Sequence, residues 1–431
     1  MDAVSREQML RDLTKNNKPI GTKLLVYKGT KAVPLDVYEI PVEYLIFNQY
    51  NGRIGTFVKQ HEKLHGPIDA TQPEGEKFIR EFLWNSKESR NKATEKDIKE
   101  KTQIEYGIVT RDGVIVDGNR RCMILKKIAE ENHSSPTYFK AVILDETIQS
   151  NPKEIRKLET TFQMGVDAKV DYSPIEKYLK CRELTNDGFS VAEITKMMGA
   201  KDGEIPKFLA ILKLMDEYLL SIDKDYDQMY RLLDEGEVEG PFHDLVGYLK
   251  SHSGQDGRAT QGRDWQPDAT DIEDLKVAYF YAVRAGFGAH DLRVLANPSK
   301  GQGLFNYGEL WKAHSETFFS DIEKITQDEE SLDLLRQKLP EEEPERIISG
   351  KEGDYQKAAA PLVKKFKGLA EETVKDQAEK DRPTELIERA LRTLQQVDTT
   401  LDSFEGDDVY QMCHEIRKLA EAFIKDLKDK N

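Results

Sequence analysis

Disulfides, thiol-rich metal cages and membrane spans all lack their raw material in this chain. Its 431 residues include three cysteines, Cys122, Cys181 and Cys413. They are scattered, with no metal-binding or disulfide-framework spacing, which fits a reducing cytoplasm. No apolar run approaches the length needed to cross a bilayer. The opening MDAVSREQMLRDL is charged and helical in pattern, unlike a secretory leader. An excess of base is missing too: 64 Lys and Arg stand against 79 Asp and Glu, a net charge of −15. Such a chain is no general nucleic-acid binder, so any DNA contact needs a local basic patch. No convincing repeat of about 20–50 residues is present, which argues against a solenoid. The length suits two to four domains, each able to bury its own core.

What is there is organised around Tyr106–Glu131, YGIVTRDGVIVDGNRRCMILKKIAEE. Gly107–Thr110 is a short apolar run that meets Arg111-Asp112-Gly113, and Asp-Gly between apolar runs is a strong hairpin signal. The run Val114–Val116 is β-branched, as strands prefer. Asp117-Gly118-Asn119-Arg120-Arg121 follows, and Met123, Ile124, Ile128 and Ala129 then share one helical face. A glycine turn and two arginines thus sit where a strand hands over to a helix start. Unpaired N–H groups and the positive end of the helix dipole favour a phosphate at such a place. Gly118 lets the backbone approach closely, and Arg120 and Arg121 offer forked hydrogen bonds. The alternative is a tight turn whose arginines are solvated or pair with Asp112 and Asp117.

DGNRR on a strand–turn–helix resembles the arginine box of the ParB/sulfiredoxin superfamily, and two further stretches resemble that family in order. Ile40-Pro41-Val42 followed by Phe47-Asn48-Gln49-Tyr50-Asn51-Gly52-Arg53 is similar to its opening strand and Asn-rich, Arg-ended turn. Glu159-Thr160-Thr161-Phe162-Gln163, then Tyr172-Ser173-Pro174-Ile175-Glu176, is similar to the segment that closes the nucleotide pocket and starts the next helix. Three positions depart from the chromosome-partition members. Met123 stands near a further arginine of theirs, Thr160 stands where they have Asn after Glu, and the arginine ending that box is missing. Sulfiredoxins need a cysteine inside the arginine box; here Cys122 follows it, which argues against sulfur reduction.

The resemblance implies an α+β fold: a ParB/Srx-like mixed sheet with helices over residues 1–168, carrying a helical insertion at 55–90. A helix-turn-helix is expected over 169–222, an all-helical domain over 223–338 and a helical hairpin, a candidate dimerisation element, over 355–431. Within the first part, Lys23–Tyr27 reads as a strand. Pro41 suggests an edge strand, Thr94 reads as a helix N-cap, and Phe139–Leu144 reads as a strand. Ser190–Lys213 has helix-turn-helix spacing, with Gly199 at the turn and Ile194, Met198, Ile205 and Phe208 facing inward. Lys201 and Lys207 are its candidate phosphate contacts, although four acids match the four lysines between Asn186 and Met215; a packed helical pair that reads nothing is the alternative. Residues 251–271 and 297–304 read as loops, 339–354 as an acidic Pro/Gly linker, and Asp274–Ala285 as a buried helix. Towards the end, Leu391, Leu394, Val397 and Leu401 mark one helical face. Val409, Met412, Ile416, Leu419, Phe423 and Leu427 mark another.

By resemblance, Gly118, Asn119, Arg120 and Arg121 would cradle the phosphates of a nucleoside triphosphate, CTP or ATP, with Mg2+ as a candidate companion. Arg53 and Glu159 would line the pocket. Should the nucleotide be hydrolysed, Glu159 or Asp117 would be the candidate catalytic carboxylate, Asp117 more readily being a turn residue. The expected protein is cytoplasmic, or nucleoid-associated if it binds DNA, with nucleotide occupancy controlling DNA binding or assembly; its C-terminal helices are read either as a homodimer contact or as an intramolecular cap. Two alternatives remain open: a nuclease or NTP-hydrolysing effector of a phage-defence or DNA-modification system, and a non-enzymatic helical adaptor. A remote one is a zinc hydrolase built on His61-Glu62-Lys63-Leu64-His65, a formal HExxH without an evident third ligand.

Overall fold

The computed structural model describes residues 1–431 except 30, 133–136, 165–171, 237, 255–264, 300, 401–403, 405 and 431. The described residues form two units, Met1–Ala370 and Glu371–Asn431. The fold is α+β; among the described residues every strand lies in the N-terminal part of the chain, with helices after it.

The first unit starts with α1 (Ala3–Asn16), β1 (Gly21–Val26) and β2 (Ala32–Pro41). The helices α2 (Gly55–His65), α3 (Pro73–Ser86) and α4 (Glu88–Lys101) follow, then β3 (Gly107–Val109), β4 (Ile115–Asp117), α5 (Asn119–Asn132) and β5 (Tyr138–Ile143). The five strands form one mixed sheet in the order β1-β2-β5-β3-β4, with β3 parallel to β5 and the other neighbours antiparallel. Alternate side chains enter two cores, as the two-residue strand period requires. Ile40, Val109, Ile115 and Phe139 pack with Ile79 and Leu83 of α3 and Ile124 of α5. Leu25, Val37, Ile108, Val116 and Val142 pack with Ile155 and Leu158 of α6 (Pro152–Met164). The hairpin reads as its Asp-Gly signal foretells: Thr110 N–H donates to Val114 O at 2.8 Å and Gly113 N–H to Thr110 O at 3.0 Å. Arg6, nearly buried, locks the turn from α1 by donating to Asp112 O at 2.7 Å.

Two expectations fail in this part. β2 is an interior strand, between β1 and β5, and Pro41 stands at its end, opposite Tyr138, where a missing N–H costs the ladder little. Thr94 lies in the middle of α4 and not at its start; its hydroxyl donates back to Arg90 O at 2.9 Å, satisfying itself within the helix.

Beyond the sheet come α7 (Pro174–Asn186), α8 (Val191–Met198), α9 (Glu204–Ile222), α10 (Arg231–Glu235), α11 (Glu239–His252), α12 (Ala269–Arg284), α13 (Ala289–Ala296), α14 (Gly308–Thr326) and α15 (Leu332–Lys338). α7 and α8 both start with a capping box, Ser173/Glu176 and Ser190/Glu193. Tyr279 and Phe280 of α12 are buried in the helical core, as its apolar run implies. Of the loop expected at 251–271, residues 255–264 lie outside the described residues; α11 ends within its first residues and α12 begins within its last.

The expected linker at 339–354 is helical instead. α16 (Pro344–Leu394) starts there, and its first part belongs to the first unit. Pro344 occupies the first helical turn, where its missing N–H costs nothing. Ile347, Ile348, Tyr355, Ala359, Val363 and Phe366 bury one face, which outweighs the penalty of Gly350 and Gly353. Charged clamps fix this helix. Lys351 meets Asp223 at 3.0 Å, and Arg284 donates to Glu352 at 2.8 Å and bonds Glu329. Asp223 sits below the usual carboxylate range: burial raises it, but N–H groups of Asp225 and Leu332 and the Lys351 ammonium more than reverse that.

In the second unit, the rest of α16 ends at Leu394, so Val397 lies beyond the helix, and Leu401 falls outside the described residues. α17 (Asp407–Lys430) carries the second apolar stripe.

Candidate functional site

β4 delivers the chain to Gly118, and α5 begins at the next residue. Gly118 has φ +102°, and a Cβ there would lie 2.6 Å from Phe139 Cζ. Glycine is thus demanded twice, by the backbone and by the ring. Cys122 N–H donates to Gly118 O at 2.9 Å, so the amides of Asn119, Arg120 and Arg121 are the first-turn donors with no intrahelical acceptor.

The side chains of the box divide their work. Asn119 is buried and turned inward: its Nδ2 donates to Ile115 O at 3.0 Å, and its Oδ1 accepts Asn48 N–H at 3.0 Å. Arg121 is also turned inward, with Nη1 on Glu105 O at 2.6 Å and Nη2 on Asp117 Oδ2 at 2.8 Å. The pairing with Asp117 that the sequence left open is therefore made, and Arg121 braces the turn. Arg120 is half-buried, with its Nε and Nη2 closed off from solvent. Cys122 is buried, and burial pushes its thiol up to about 12, which removes it from thiolate chemistry.

From Asn119 a line of contacts joins the three stretches that resemble the family's boxes. Asn48 Nδ2 donates to Glu159 Oε1 at 3.1 Å. Glu159 Oε2 lies 3.5 Å from Lys180 Nζ, which also meets Glu183 Oε2 at 2.7 Å. Gln163 donates to Val116 O at 3.0 Å and accepts from the Tyr172 hydroxyl. A Cβ on Gly52 would lie 2.8 Å from the Tyr172 ring and 3.3 Å from Lys180 Cε, so this glycine makes room for both. The Arg53 guanidinium lies 5.7 Å from the centre of the Tyr172 ring. These contacts pack the three stretches against one another.

Its charges are strongly coupled. Burial pushes the Glu159 carboxyl up, and Lys180 pulls the other way. Burial alone would lower Lys180, but the carboxylates of Glu159 and Glu183 hold it above its ordinary value, firmly protonated. Lys180 is the functional candidate that the sequence reading missed. A signal existed: Glu176 and Lys180 are four apart on a helix whose other buried residues include Ile175, Leu179 and Leu184, so two ionisable groups share a buried helix.

The other candidates lie elsewhere. α8 and α9 are joined by a turn at Gly199, whose φ is +62°. Ile194, Met197, Met198 and Ile205 form their shared core with Cys181 and Leu184 of α7, and Phe208 packs against it. Lys201 is exposed, and Lys207 Nζ lies 2.6 Å from His243 Nε2 of α11. α9 continues through Ile211, Met215 and Leu219 into the large helical core. His61 and His65 share a face of α2, with ring centroids 4.8 Å apart. The His61 ring packs tilted against Phe78, and His65 meets Glu345 at 3.0 Å. Among the described residues no group of three His, Cys, Asp or Glu side chains is placed to hold a metal.

No family model matches this chain, and no curated protein matches it. Among solved structures it is similar to one described as the C2221 form of a Pnob8-like ParB-N domain, at 15% identity and a TM-score of 0.25. The likeness covers 66% of this chain and 96% of that one. No helix among the described residues is long and apolar enough to cross a membrane.

Proposed function

We propose that the corner between β4 and α5 binds the phosphates of a nucleoside triphosphate, and that occupancy controls assembly and DNA contact through the helical parts of the chain. The observation that carries this reading is the meeting of three stretches distant in sequence. Loop 48–53, turn 117–121 and helix segment 159–163 are linked through Asn119, Asn48 and Glu159. They meet at a helix start whose first three amides have no intrahelical acceptor, with Arg53 and Arg120 as sources of positive charge. An anion is stabilised there by the amides, the dipole and the guanidiniums together. In this reading Gly118 and Asn119 shape the cradle, Arg121 holds it by its brace to Asp117, and Arg120 contacts the ligand. Lys201 and Lys207 on the α8–α9 pair supply the phosphate contacts to DNA. The exposed stripe of α17 is covered by a second copy of the chain.

Titration calorimetry of the full chain with CTP, ATP and GTP tests the pocket. Saturable binding is expected, and Arg120→Ala weakens it about 10- to 100-fold, the worth of one or two charge-assisted hydrogen bonds. An unchanged affinity in Arg120→Ala overturns the assignment.

A further inference from the structure

Triphosphates usually travel as complexes of a divalent cation, which seeks carboxylate and carbonyl oxygens and keeps several waters. The resemblance to ParB proteins makes Mg2+ a natural companion here, so the residues at the corner can be asked whether they fit one. They do not. Glu159 is the carboxylate that the three stretches enclose, and both its oxygens are engaged, Oε1 by Asn48 Nδ2 at 3.1 Å and Oε2 by Lys180 Nζ at 3.5 Å. Lys180 is itself sealed from solvent and held by a second carboxylate, Glu183, at 2.7 Å. Thr160, where the family has an amide, is fully buried on α6, which closes its hydroxyl off from a hydrated ion. A divalent ion at Glu159 would have to displace an amide and settle beside a buried ammonium of the same sign.

We infer that Lys180 occupies the place of the metal, and that this corner takes its triphosphate as the free, metal-less anion. The inference rests on the phosphate-binding reading above. Lys180 neutralises Glu159 from inside the protein and so holds Asn48, and through it Asn119, in place. The phosphates are met by the amides at the start of α5 and by Arg53 and Arg120. Magnesium lowers the charge of a triphosphate by two and masks the oxygens that these donors need, so it competes with the protein for the ligand.

The test is a calorimetric titration of the full chain with ATP, CTP and GTP, in EDTA and in excess MgCl2. Excess MgCl2 leaves little free triphosphate, so binding in EDTA is expected to be about tenfold or more tighter than in MgCl2. Binding no tighter in EDTA than in MgCl2 overturns this inference and leaves the phosphate reading standing. No binding in either buffer overturns the phosphate reading itself, and this inference with it. Lys180→Met, which releases Glu159, is expected to turn the magnesium effect towards dependence. Should that variant fail to fold, the two-buffer comparison on the unmodified chain still decides.

Discussion

Lys180→Met is expected to lower the stability of the first unit by about 3–5 kcal/mol, the cost of leaving one member of a buried ion pair without its partner. Methionine fills most of the volume, so the loss is electrostatic. Glu159 would face the low-dielectric interior with Asn48 alone, and Glu183 would lose its 2.7 Å contact. The second variant makes the argument sharp. Glu159→Gln added to Lys180→Met removes the stranded charge while keeping an acceptor for Asn48 Nδ2. Replacing both members of a buried pair is often close to neutral, whereas removing one is not. Thermal unfolding should therefore show a large drop for Lys180→Met and recovery of most of it in the double variant. A Lys180→Met protein as stable as the parent, or a double variant no better than the single one, would show that the pair does not hold the corner together.

Leu419→Glu with Phe423→Glu is expected to weaken self-association by at least about a hundredfold. Two charges placed in an apolar seam cost more than the roughly 2.8 kcal/mol that a hundredfold change represents. In α17, Val409, Met412, Ile416, Leu419 and Phe423 recur at alternating steps of three and four, the spacing of a helix seam. Leu419 is 58% exposed and Phe423 48%. A 24-residue helix gains little stability from its own hydrogen bonds and needs its stripe covered. A second copy supplies the same stripe by symmetry. Sedimentation equilibrium of the full chain should give a dimer for the parent and a monomer for the variant, with the first unit folded in both. A monomeric parent at tens of micromolar, or a variant that still dimerises, contradicts the proposal.

The parts of the fold legible in the sequence are those set by local chemistry. Asp112-Gly113 made the hairpin, the β-branched run made β4, and the polar turn at Gly118 delivered α5 where its apolar face begins. Ser173/Glu176 and Ser190/Glu193 are local signals of the same kind, capping boxes that the sequence reading passed over. The failures share one physical cause, long-range packing that overrides local signals. Pro344, Gly350 and Gly353 look like breakers, yet the buried face of Ile347, Ile348 and Tyr355 makes that stretch a helix. Pro41 looks like an edge residue, yet neighbours on both sides enclose β2. The site divides the same way. Adjacent arginines look equivalent in sequence, but only the fold brings Glu105 O to Arg121. Nothing within Lys180's own neighbourhood in the chain names Glu159 as its partner, twenty-one residues away on another helix.

The central claim is that an anion docks on the first turn of α5, and amide hydrogen exchange of residues 118–122 measures this directly. With saturating triphosphate, the N–H groups of Asn119, Arg120 and Arg121 should exchange at least about tenfold more slowly than in the free chain, since each acquires an acceptor that the helix does not provide. Unaltered exchange at these three amides, under conditions where the nucleotide demonstrably binds, would place the ligand elsewhere and contradict the account.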